Sequence, residues 1–391
     1  MQLKDIATVK GGKRLPKTDK LVSYKTDHPY IRIRDMYQSY PLEINSDFEY
    51  ITDATHEKIK RYIVNQGDVI IAVVGNTIGL VSLIGSSLDG ANLTENCNKL
   101  VEIHDCDNRF LYYFLTSKEG QDEIKKGIVG SSQPKLPIYN IEKIEIPAVP
   151  YEQQIKIVEI LESIDKKISN NETINRNLSE QAKALFEEEL LKFDSVPEGW
   201  KKGSLSDIAD YLNGLAMQKF RPGDDEKGLP VLKIKELRQG SCDANSELCS
   251  LNIKPEYIIH DGDVIFSWSG SLLVDFWCGG ECGLNQHLFK VTSKKYDKWF
   301  YYAWTLYHLD RFIGVAADKA TTMGHIKREE LSKAEVLIPD SDSYKRIGEV
   351  LGPLYDMIIS NRVENRRLAA LRDELLPKLM SGQMDVSEVE L

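Results

Sequence analysis

Residues 157–185 read IVEILESIDKKISNNETINRNLSEQAKAL, and residues 347–375 read IGEVLGPLYDMIISNRVENRRLAALRDEL. In both stretches apolar residues recur at alternating steps of four and three, and two asparagines occupy positions of the same stripe. This period keeps one stripe of a helix turned toward a partner, so we predict two long helices that pair with each other. The stripe residues are Ile157, Leu161, Ile164, Ile168, Asn171, Asn175, Leu178 and Leu185 in the first stretch, and Ile347, Leu351, Leu354, Ile358, Asn361, Asn365, Leu368 and Leu375 in the second.

The asparagines give the pairing its register. An amide in an apolar stripe is costly unless it meets another polar group, so asparagines at matching positions are expected to face each other. The alternative is two ordinary amphipathic surface helices, for which no such facing is required.

The regions before the two helices also repeat. Residues 67–71 read GDVII and are followed by Gly75, and residues 262–266 read GDVIF and are followed by Gly270. Both are strand-like apolar runs bounded by turn formers. The chain is therefore a duplication in the order globular domain, long helix, globular domain, long helix.

An aromatic segment follows each of these strands. Residues 109–114 read RFLYYF and residues 299–304 read WFYYAW. The pattern is amphipathic, so we predict a short helix packed on the core of its own domain.

Length and composition agree with two compact domains. The chain has 391 residues, 42% of them hydrophobic, so each globular part is long enough to bury a core of its own. No apolar run approaches the roughly 20 residues of a membrane span, and no charged and then apolar leader is present. We expect a soluble protein of the cytoplasm with reduced thiols. The six cysteines are Cys97, Cys106, Cys242, Cys249, Cys278 and Cys282.

Four of these cysteines lie in the second globular part and raise the question of a zinc site. The spacings are six residues between Cys242 and Cys249 and three between Cys278 and Cys282, whereas a zinc knuckle favours two. The first globular part has no counterpart. Ordinary thiols are therefore the favoured interpretation, and we expect no metal.

The net charge of −10 is unusual for a nucleic-acid-binding protein, so its distribution matters. Residues 151–199 hold six basic and eleven acidic residues, whereas residues 1–35 hold nine basic residues against four aspartates. Such a local excess suits contact with phosphates, although a solvated basic face explains it equally well. Gly11 and Gly12 are expected to let backbone amides approach an anion. The candidate phosphate contacts are Lys10, Lys13, Arg14, Lys17, Arg32 and Arg34, and in the second part Lys219, Arg221, Lys233 and Lys235.

Polar loops precede the two long helices at equivalent places, at residues 130–135 and 319–325. Both are poor in core-forming residues, which indicates loops that present side chains, although simple connectors remain the alternative. Gln, Lys, Thr and His side chains can all address base edges, and Gln can bind adenine through two hydrogen bonds. The candidates in these loops are Ser131, Ser132, Gln133, Lys135, Lys319, Thr321, Thr322 and His325, and those that follow the repeated strands are Asn76, Thr77, Ser269 and Ser271.

Three short motifs resemble those of a known family. Residues 147–155 read PAVPYEQQI directly before the first heptads, residues 197–200 read PEGW, and residues 375–383 read LLPKLMSGQ. Their order and spacing resemble the specificity subunits of type I restriction-modification systems over essentially the full chain. The second helix departs from the pattern, because residues 339–344 read PDSDSY without the Glu-Gln pair.

The resemblance implies an α+β fold with two similar mixed α/β target-recognition domains separated by an antiparallel coiled coil of two long helices. It implies target-recognition domains at residues 1–150 and 196–340, a central helix at 151–195 and a C-terminal helix and tail at 341–391. In such subunits each domain reads one half of a split double-stranded DNA target and the helices fix the gap. The helices also dock two modification subunits, which bind S-adenosylmethionine and methylate adenine, and restriction subunits join them. No cofactor is then expected in this chain.

Two alternatives from other classes remain at this point. One is a coiled-coil scaffold whose globular parts bind protein, and the other is an undetected nuclease or methyltransferase. The sequence gives little support to catalysis, because it has no Pro-Pro pair for an adenine methyltransferase, no phosphate-binding Gly-x4-Gly-Lys loop and no Gly-x-Ser-x-Gly elbow. Asp340 and Asp342 faintly resemble a metal cluster, but they lie where a helix begins and aspartate caps are favoured.

Overall fold

A computed structural model describes residues 1–37, 40–318 and 326–386. The chain divides into two compact units. Unit 1 contains Met1–Ser169 together with Leu368–Leu391, and unit 2 contains Asn170–Arg367. Each unit therefore holds one globular domain and a segment of each long helix. Within the described residues, no helix is both long enough and apolar enough to cross a membrane.

Unit 1 is built on a four-stranded antiparallel sheet in the order β1-β6-β3-β4. Every residue of the third strand is buried because both faces of the sheet are covered. Val69 and Ile71 face one core cluster, whereas Ile70 and Ala72 face another. A strand covered on both sides reads as a continuous apolar run. The elements are β1 Thr8–Gly11, β2 Tyr30–Ile31, α1 Asp53–Ile59, β3 Val69–Ala72, β4 Val81–Leu83, β5 Asn92–Leu93, β6 Cys97–Val101, α2 Asn108–Thr116, α3 Lys118–Lys126, α4 Ile138–Ile141 and the start of α5 Tyr151–Phe186.

Unit 2 repeats this plan. Its main sheet has the order β13-β12-β15-β8, and Val264 and Phe266 face one cluster while Ile265 faces another. The elements are a π-helical turn Glu187–Leu191 after α5, β7 Lys201–Ser204, α6 Leu205–Ile208, β8 Asp210–Asn213, β9 Leu229–Leu232, α7 Ile234–Gln239, β10 Leu248–Cys249, β11 Ile258–Ile259, β12 Val264–Ser267, β13 Leu273–Phe276, β14 Cys282–Leu284, β15 Leu288–Thr292, α8 Lys298–Tyr307, α9 Leu309–Asp318, α10 Arg328–Ser332, β16 Glu335–Ile338 and α11 Ser341–Met380.

The aromatic segments form α2 and α8, as predicted. Phe110 and Phe114 are buried in unit 1, and Phe300 and Trp304 are buried in unit 2. Each helix packs into the same core cluster as the long-helix residues of its unit. The aromatic stripe is therefore core and joins each domain to the long helices.

The long helices pair in antiparallel orientation inside unit 2. Asn171 Nδ2 donates to Asn365 Oδ1 at 2.8 Å, and Asn361 Nδ2 donates to Asn175 Oδ1 at 2.8 Å. Partner numbers fall as residue numbers rise, which defines the antiparallel direction. The asparagines thus face each other as the stripe predicts, and Asn171 Nδ2 also donates to Glu364 Oε2 at 2.7 Å, whereas Asn171 Oδ1 meets no donor among the described residues.

The same helices also pair inside unit 1. Ile157 and Leu161 of α5 share a core cluster with Leu376 and Leu379 of α11. The predicted α+β class with paired long helices is confirmed. Along the predicted stripe, the buried residues are Ile157, Leu161, Ile164, Asn171, Asn175, Ile347, Leu351 and Ile358, and the half-buried ones are Ile168, Leu178, Leu185, Leu354, Asn361, Asn365, Leu368 and Leu375.

Each domain is joined to a long helix by a hydrogen bond at the residue that precedes its aromatic helix. The backbone N–H of Asp107, which caps α2, donates to Gln154 Oε1 at 2.9 Å. The backbone N–H of Asp297, which precedes α8, donates to the Tyr344 hydroxyl at 2.7 Å. The second helix lacks the Glu-Gln pair, yet its tyrosine accepts the equivalent hydrogen bond.

We predict that Gln154→Ala destabilises the protein by about 1–3 kcal/mol, because it leaves a buried backbone N–H without its acceptor, and that Tyr344→Phe costs less, because water can reach the Asp297 N–H. Denaturant unfolding of the full chain measures this loss. Gln153→Ala is the matched control, since Gln153 is a neighbour on the same turn, and it should cost much less. Equal losses for Gln153→Ala and Gln154→Ala would contradict the role of this hydrogen bond.

Candidate nucleic-acid interface

Two of the predicted polar segments of unit 1 lie side by side. The Gly75 N–H donates to the Pro134 carbonyl at 3.1 Å, and the Leu136 N–H donates to the Val73 carbonyl at 3.0 Å. Val129 and Lys135 close the loop at residues 130–135 with a pair of backbone hydrogen bonds of 2.9 Å. The loop is therefore fixed against the turn that follows β3, and the two segments form one surface.

This surface presents polar side chains to solvent. Asn76, Ser131, Ser132, Gln133 and Lys135 are exposed. Thr77 is half-buried and its hydroxyl donates to the Val74 carbonyl at 2.9 Å, so it serves the turn itself. We name the exposed set the loop surface of unit 1.

Unit 2 has the same framework. Gly75 and Gly270 adopt φ angles of 64° and 65°, a left-handed conformation that favours glycine. The Ile326 N–H donates to the Trp268 carbonyl at 3.1 Å, just as Leu136 bonds to Val73. Lys319, Thr321, Thr322 and His325 lie outside the described residues.

The two serines of this region differ in placement. Ser269 is buried and its hydroxyl pairs with His287 Nδ1 at 3.1 Å, so it lies inside the domain and is removed from the candidate surface. Ser271 is exposed. Trp268 is half-buried against the core and its indole N–H donates to Asn213.

The Gly11-Gly12 pair has a different role from the one predicted. The N–H groups of Gly12 and Lys13 donate to the carbonyls of Cys97 and Leu93 at 3.0 and 2.8 Å, so these amides are not available to an anion. A Cβ at Gly12 would lie 1.9 Å from the Thr94 carbonyl oxygen. Glycine is required here because two backbone segments approach closely, which corrects the anion-binding interpretation.

The basic patch of unit 1 is partly neutralised by distant carboxylates. Lys10 pairs with Glu102 at 2.7 Å and Arg14 pairs with Glu95 at 2.5 Å. Both partners lie outside the window in which charge was counted, so the local excess is smaller than the sequence indicates. Lys17 is exposed, as is Lys13, whose ammonium lies 5.6 Å from the centre of the Tyr62 ring.

Arg32 and Arg34 share Glu49. Arg34 pairs with this carboxylate at 2.8 Å and Arg32 pairs with it as well. Burial raises the pKa of the neighbouring Asp35 to about 6, although the Arg34 charge lowers it. Arg32 is mostly buried, with two guanidinium nitrogens that meet no hydrogen-bond acceptor, whereas Arg34 is exposed. Arg14, Arg32 and Arg34 line one cavity of about 380 Å³.

The four candidate basic residues of unit 2 have two kinds of surroundings: Lys233 and Lys235 form ion pairs, whereas Lys219 and Arg221 are exposed. Lys233 pairs with Glu247 at 2.5 Å, and Lys235 pairs with Asp243 at 3.3 Å. Lys219 and Arg221 are exposed on either side of Phe220, which is itself 37% exposed. Phe220 is a candidate that sequence reasoning missed; its signal is an aromatic residue between two bases.

Asp340 and the four cysteines of unit 2 are the groups whose sequence raised the question of a metal site. Asp340 Oδ1 accepts the N–H groups of Asp342 and Ser343 at 3.0 Å each, so it caps α11. Hydrogen bonds, first that of the Ser343 N–H, hold the pKa of Asp340 below its ordinary value. The four cysteines of unit 2 are divided among three apolar clusters.

Comparison with known proteins identifies the family. The profile described as "Type I restriction modification DNA specificity domain" matches residues 1–180 and 197–370. The MjaIX specificity subunit of Methanocaldococcus jannaschii is 24% identical over 99% of this chain and 94% of its own length. The MjaVIII specificity subunit of the same organism is 23% identical over 87% and 86%. A type I S subunit of M. genitalium has the same fold, with a TM-score of 0.58 at 15% identity over 97% and 95% of the chains.

The fold and its duplicated loop framework thus define a two-domain DNA-recognition protein. The chain belongs to the type I restriction-modification DNA specificity family, as its motifs predict. It is a non-catalytic specificity subunit with two DNA-recognition domains.

We predict opposite effects on DNA binding for substitutions of the two members of the Arg14–Glu95 ion pair. Glu95→Gln frees Arg14 from its carboxylate, so it should strengthen DNA binding and make the salt dependence of binding steeper. Arg14→Ala should weaken DNA binding and make the salt dependence shallower, because each phosphate contact releases counterions. Fluorescence anisotropy over a salt series measures the two slopes. Glu119→Gln, an exposed carboxylate of α3 in the same domain, is the control for net charge alone. Equal effects of Glu95→Gln and Glu119→Gln would show that Arg14 does not contact DNA.

Proposed function

We propose that this subunit reads a bipartite DNA target, with one half-site for each domain, while the paired long helices set the gap between the half-sites. The observation that carries the proposal is the duplicated loop framework, in which Leu136 bonds to Val73 and Ile326 bonds to Trp268 at equivalent places. Two domains that share this anchoring bond are suited to two separate readings of DNA.

Within unit 1, the loop surface is the proposed reading element. Gln133 and Asn76 are exposed amides on two segments joined through the Gly75–Pro134 hydrogen bond. Each side chain carries a donor and an acceptor that match the N6 and N7 edge of adenine in the major groove. Lys135 adds a charge suited to the backbone beside the reading site.

The helices are the proposed ruler. α11 runs for 40 residues, which corresponds to about 60 Å at 1.5 Å per residue. Such a length exceeds one turn of DNA, whose pitch is about 34 Å. Because the asparagine pairs allow only one register, the helices supply a fixed length, and a fixed length requires a fixed gap.

The partners are proposed from the family. Two modification subunits, which bind S-adenosylmethionine and methylate adenine, would dock on the long helices, and restriction subunits would join them. Exposed apolar residues on the outer face of α11 support such docking, because Val350 and Met357 are 50% and 52% exposed. The cofactor would belong to the modification subunits.

Selection of bound sequences from randomised duplexes tests the reading function. The assembled complex should select two half-sites, and Gln133→Ala should relax one half-site while the other stays unchanged, because a bidentate contact contributes about 1–3 kcal/mol of discrimination. Gln66→Ala, an exposed glutamine elsewhere in the same domain, should change neither. A uniform loss at both half-sites would contradict the assignment of Gln133.

The ruler makes a separate prediction. Seven helical residues inserted both after Ser169 and before Leu368 preserve the heptad and should lengthen the preferred gap by roughly three base pairs, since seven residues add about 10 Å. The half-sites themselves should not change. The same selection measures the gap, and a gap that stays constant in a folded variant would refute the ruler.

A further inference from the structure

The seam asparagines fix the register of the helices but do not specify the partner. In the repeat, Asn171 corresponds to Asn361 and Asn175 to Asn365, and unit 2 pairs Asn171 with Asn365 and Asn175 with Asn361. If α5 paired with a second copy of itself in this register, Asn171 would meet Asn175 and the bonds between asparagines would form again, although the bond from Asn171 Nδ2 to Glu364 would be lost because Ile174 stands at that position. The bonds between asparagines therefore do not decide whether a helix takes the other half of its chain or a copy of itself.

A buried charged group in unit 1 differs between the two halves. Asp165 is 7% exposed and lies in the seam. Its Oδ1 accepts from Arg372 Nη1 at 2.7 Å, and its Oδ2 accepts from the Tyr113 hydroxyl at 2.7 Å. Burial by itself would lower the pKa of Arg372, but the neighbouring Asp165 charge holds it above its ordinary value. The carboxylate thus has two partners, one on α11 and one on the recognition domain.

The corresponding positions of unit 2 carry no charge. Asp165 corresponds to Tyr355, Arg372 to Ala182 and Tyr113 to Ala303. These three residues are buried in one apolar cluster. The Tyr355 ring contacts Tyr302 with ring centres 5.0 Å apart. The two units therefore fill the corresponding positions in opposite ways, one with a polar triad and the other with a tyrosine and two alanines of an apolar cluster.

Self-pairing would separate every charge from its partner. In the register of the asparagines, a self-paired α5 would place Asp165 opposite Ala182, and a self-paired α11 would place Arg372 opposite Tyr355. A buried charge that loses its partner is strongly destabilising, because its desolvation is no longer offset. Two closed chains contain two such ion pairs, whereas a dimer of self-paired helices contains none.

We propose that the Asp165–Arg372 pair selects the partner of each long helix: it joins the two halves of one chain and rejects the pairing of either half with a second copy of itself. Only a reciprocal exchange, in which each α5 takes the α11 of another chain, preserves the pairs. In the native chain this exchange competes with the pairing of α5 and α11 of the same chain. That pairing is favoured because the two helices are covalently linked and so have a high effective concentration. This selection does not depend on the proposed DNA target.

Reciprocal charge reversal in the full chain tests the proposal. Asp165→Arg and Arg372→Asp each place like charges in the seam, and each alone should melt at a lower temperature than the native chain. When the two are refolded together, exchange restores both ion pairs, so a 1:1 heterodimer should form and exceed either homodimer on the order of hundredfold. Light scattering coupled to size exclusion, with mass spectrometry of the mixed species, gives the composition.

The controls separate selection from general stability. The double variant Asp165→Arg with Arg372→Asp should be a monomer again. Glu159→Arg, which makes the same charge change at an exposed position of α5, should stay monomeric and stable. If either single variant does not fold alone, the presence or absence of the heterodimer in the co-refolded mixture still tests the proposal. The proposal is overturned if the mixture forms no more dimer than the separate variants, or if one variant alone forms a homodimer as stable as the mixed one.

Discussion

The fold depends on two pairs of asparagines that face each other between α5 and α11, with one buried and one half-buried amide in each pair. An amide inside an apolar seam is tolerated where it meets another polar group, and here Asn171 bonds to Asn365 and Asn175 bonds to Asn361 in a single antiparallel alignment. The seam thereby has a defined register. Within each unit, Gln154 and Tyr344 join the long helices to the residues that precede α2 and α8.

The proposed recognition surface of unit 1 is also held in place by backbone hydrogen bonds. A glycine in a left-handed conformation follows β3 and β12, and in unit 1 the polar loop at residues 130–135 is anchored at that turn. Side chains such as Gln133 are then presented on a rigid base, which is what discrimination between bases requires. The acidic partners of Lys10 and Arg14 moderate the basic face, so we propose that local ion pairs, more than net charge, tune DNA binding.

The sequence predicts those features that are periodic or local. The heptads, the facing asparagines, the repeated strands and the aromatic helices all follow from spacing, because helices and strands place residues on faces by fixed periods. The short motifs at residues 147–155, 197–200 and 375–383 add the resemblance to the family. Polar loop segments such as residues 130–135 are also visible in the sequence, since composition alone marks them.

The features that the sequence does not predict depend on contacts between distant residues. Glu95 and Glu102 neutralise bases that lie 81 and 92 positions away in the sequence, so a charge count over a window overstates the patch. Gly12 is fixed by its approach to Thr94, which no local motif reveals. Tyr344 replaces a glutamine because a hydroxyl and an amide oxygen can accept the same N–H.

Mapping methylated adenines in the genome of a host that carries this subunit with modification subunits tests the paired-helix ruler. We predict one motif of two different half-sites, each read by one domain, with a single gap length at every site. A continuous motif, or half-sites separated by variable gaps, would contradict the claim that one fixed helix register holds two independent readers.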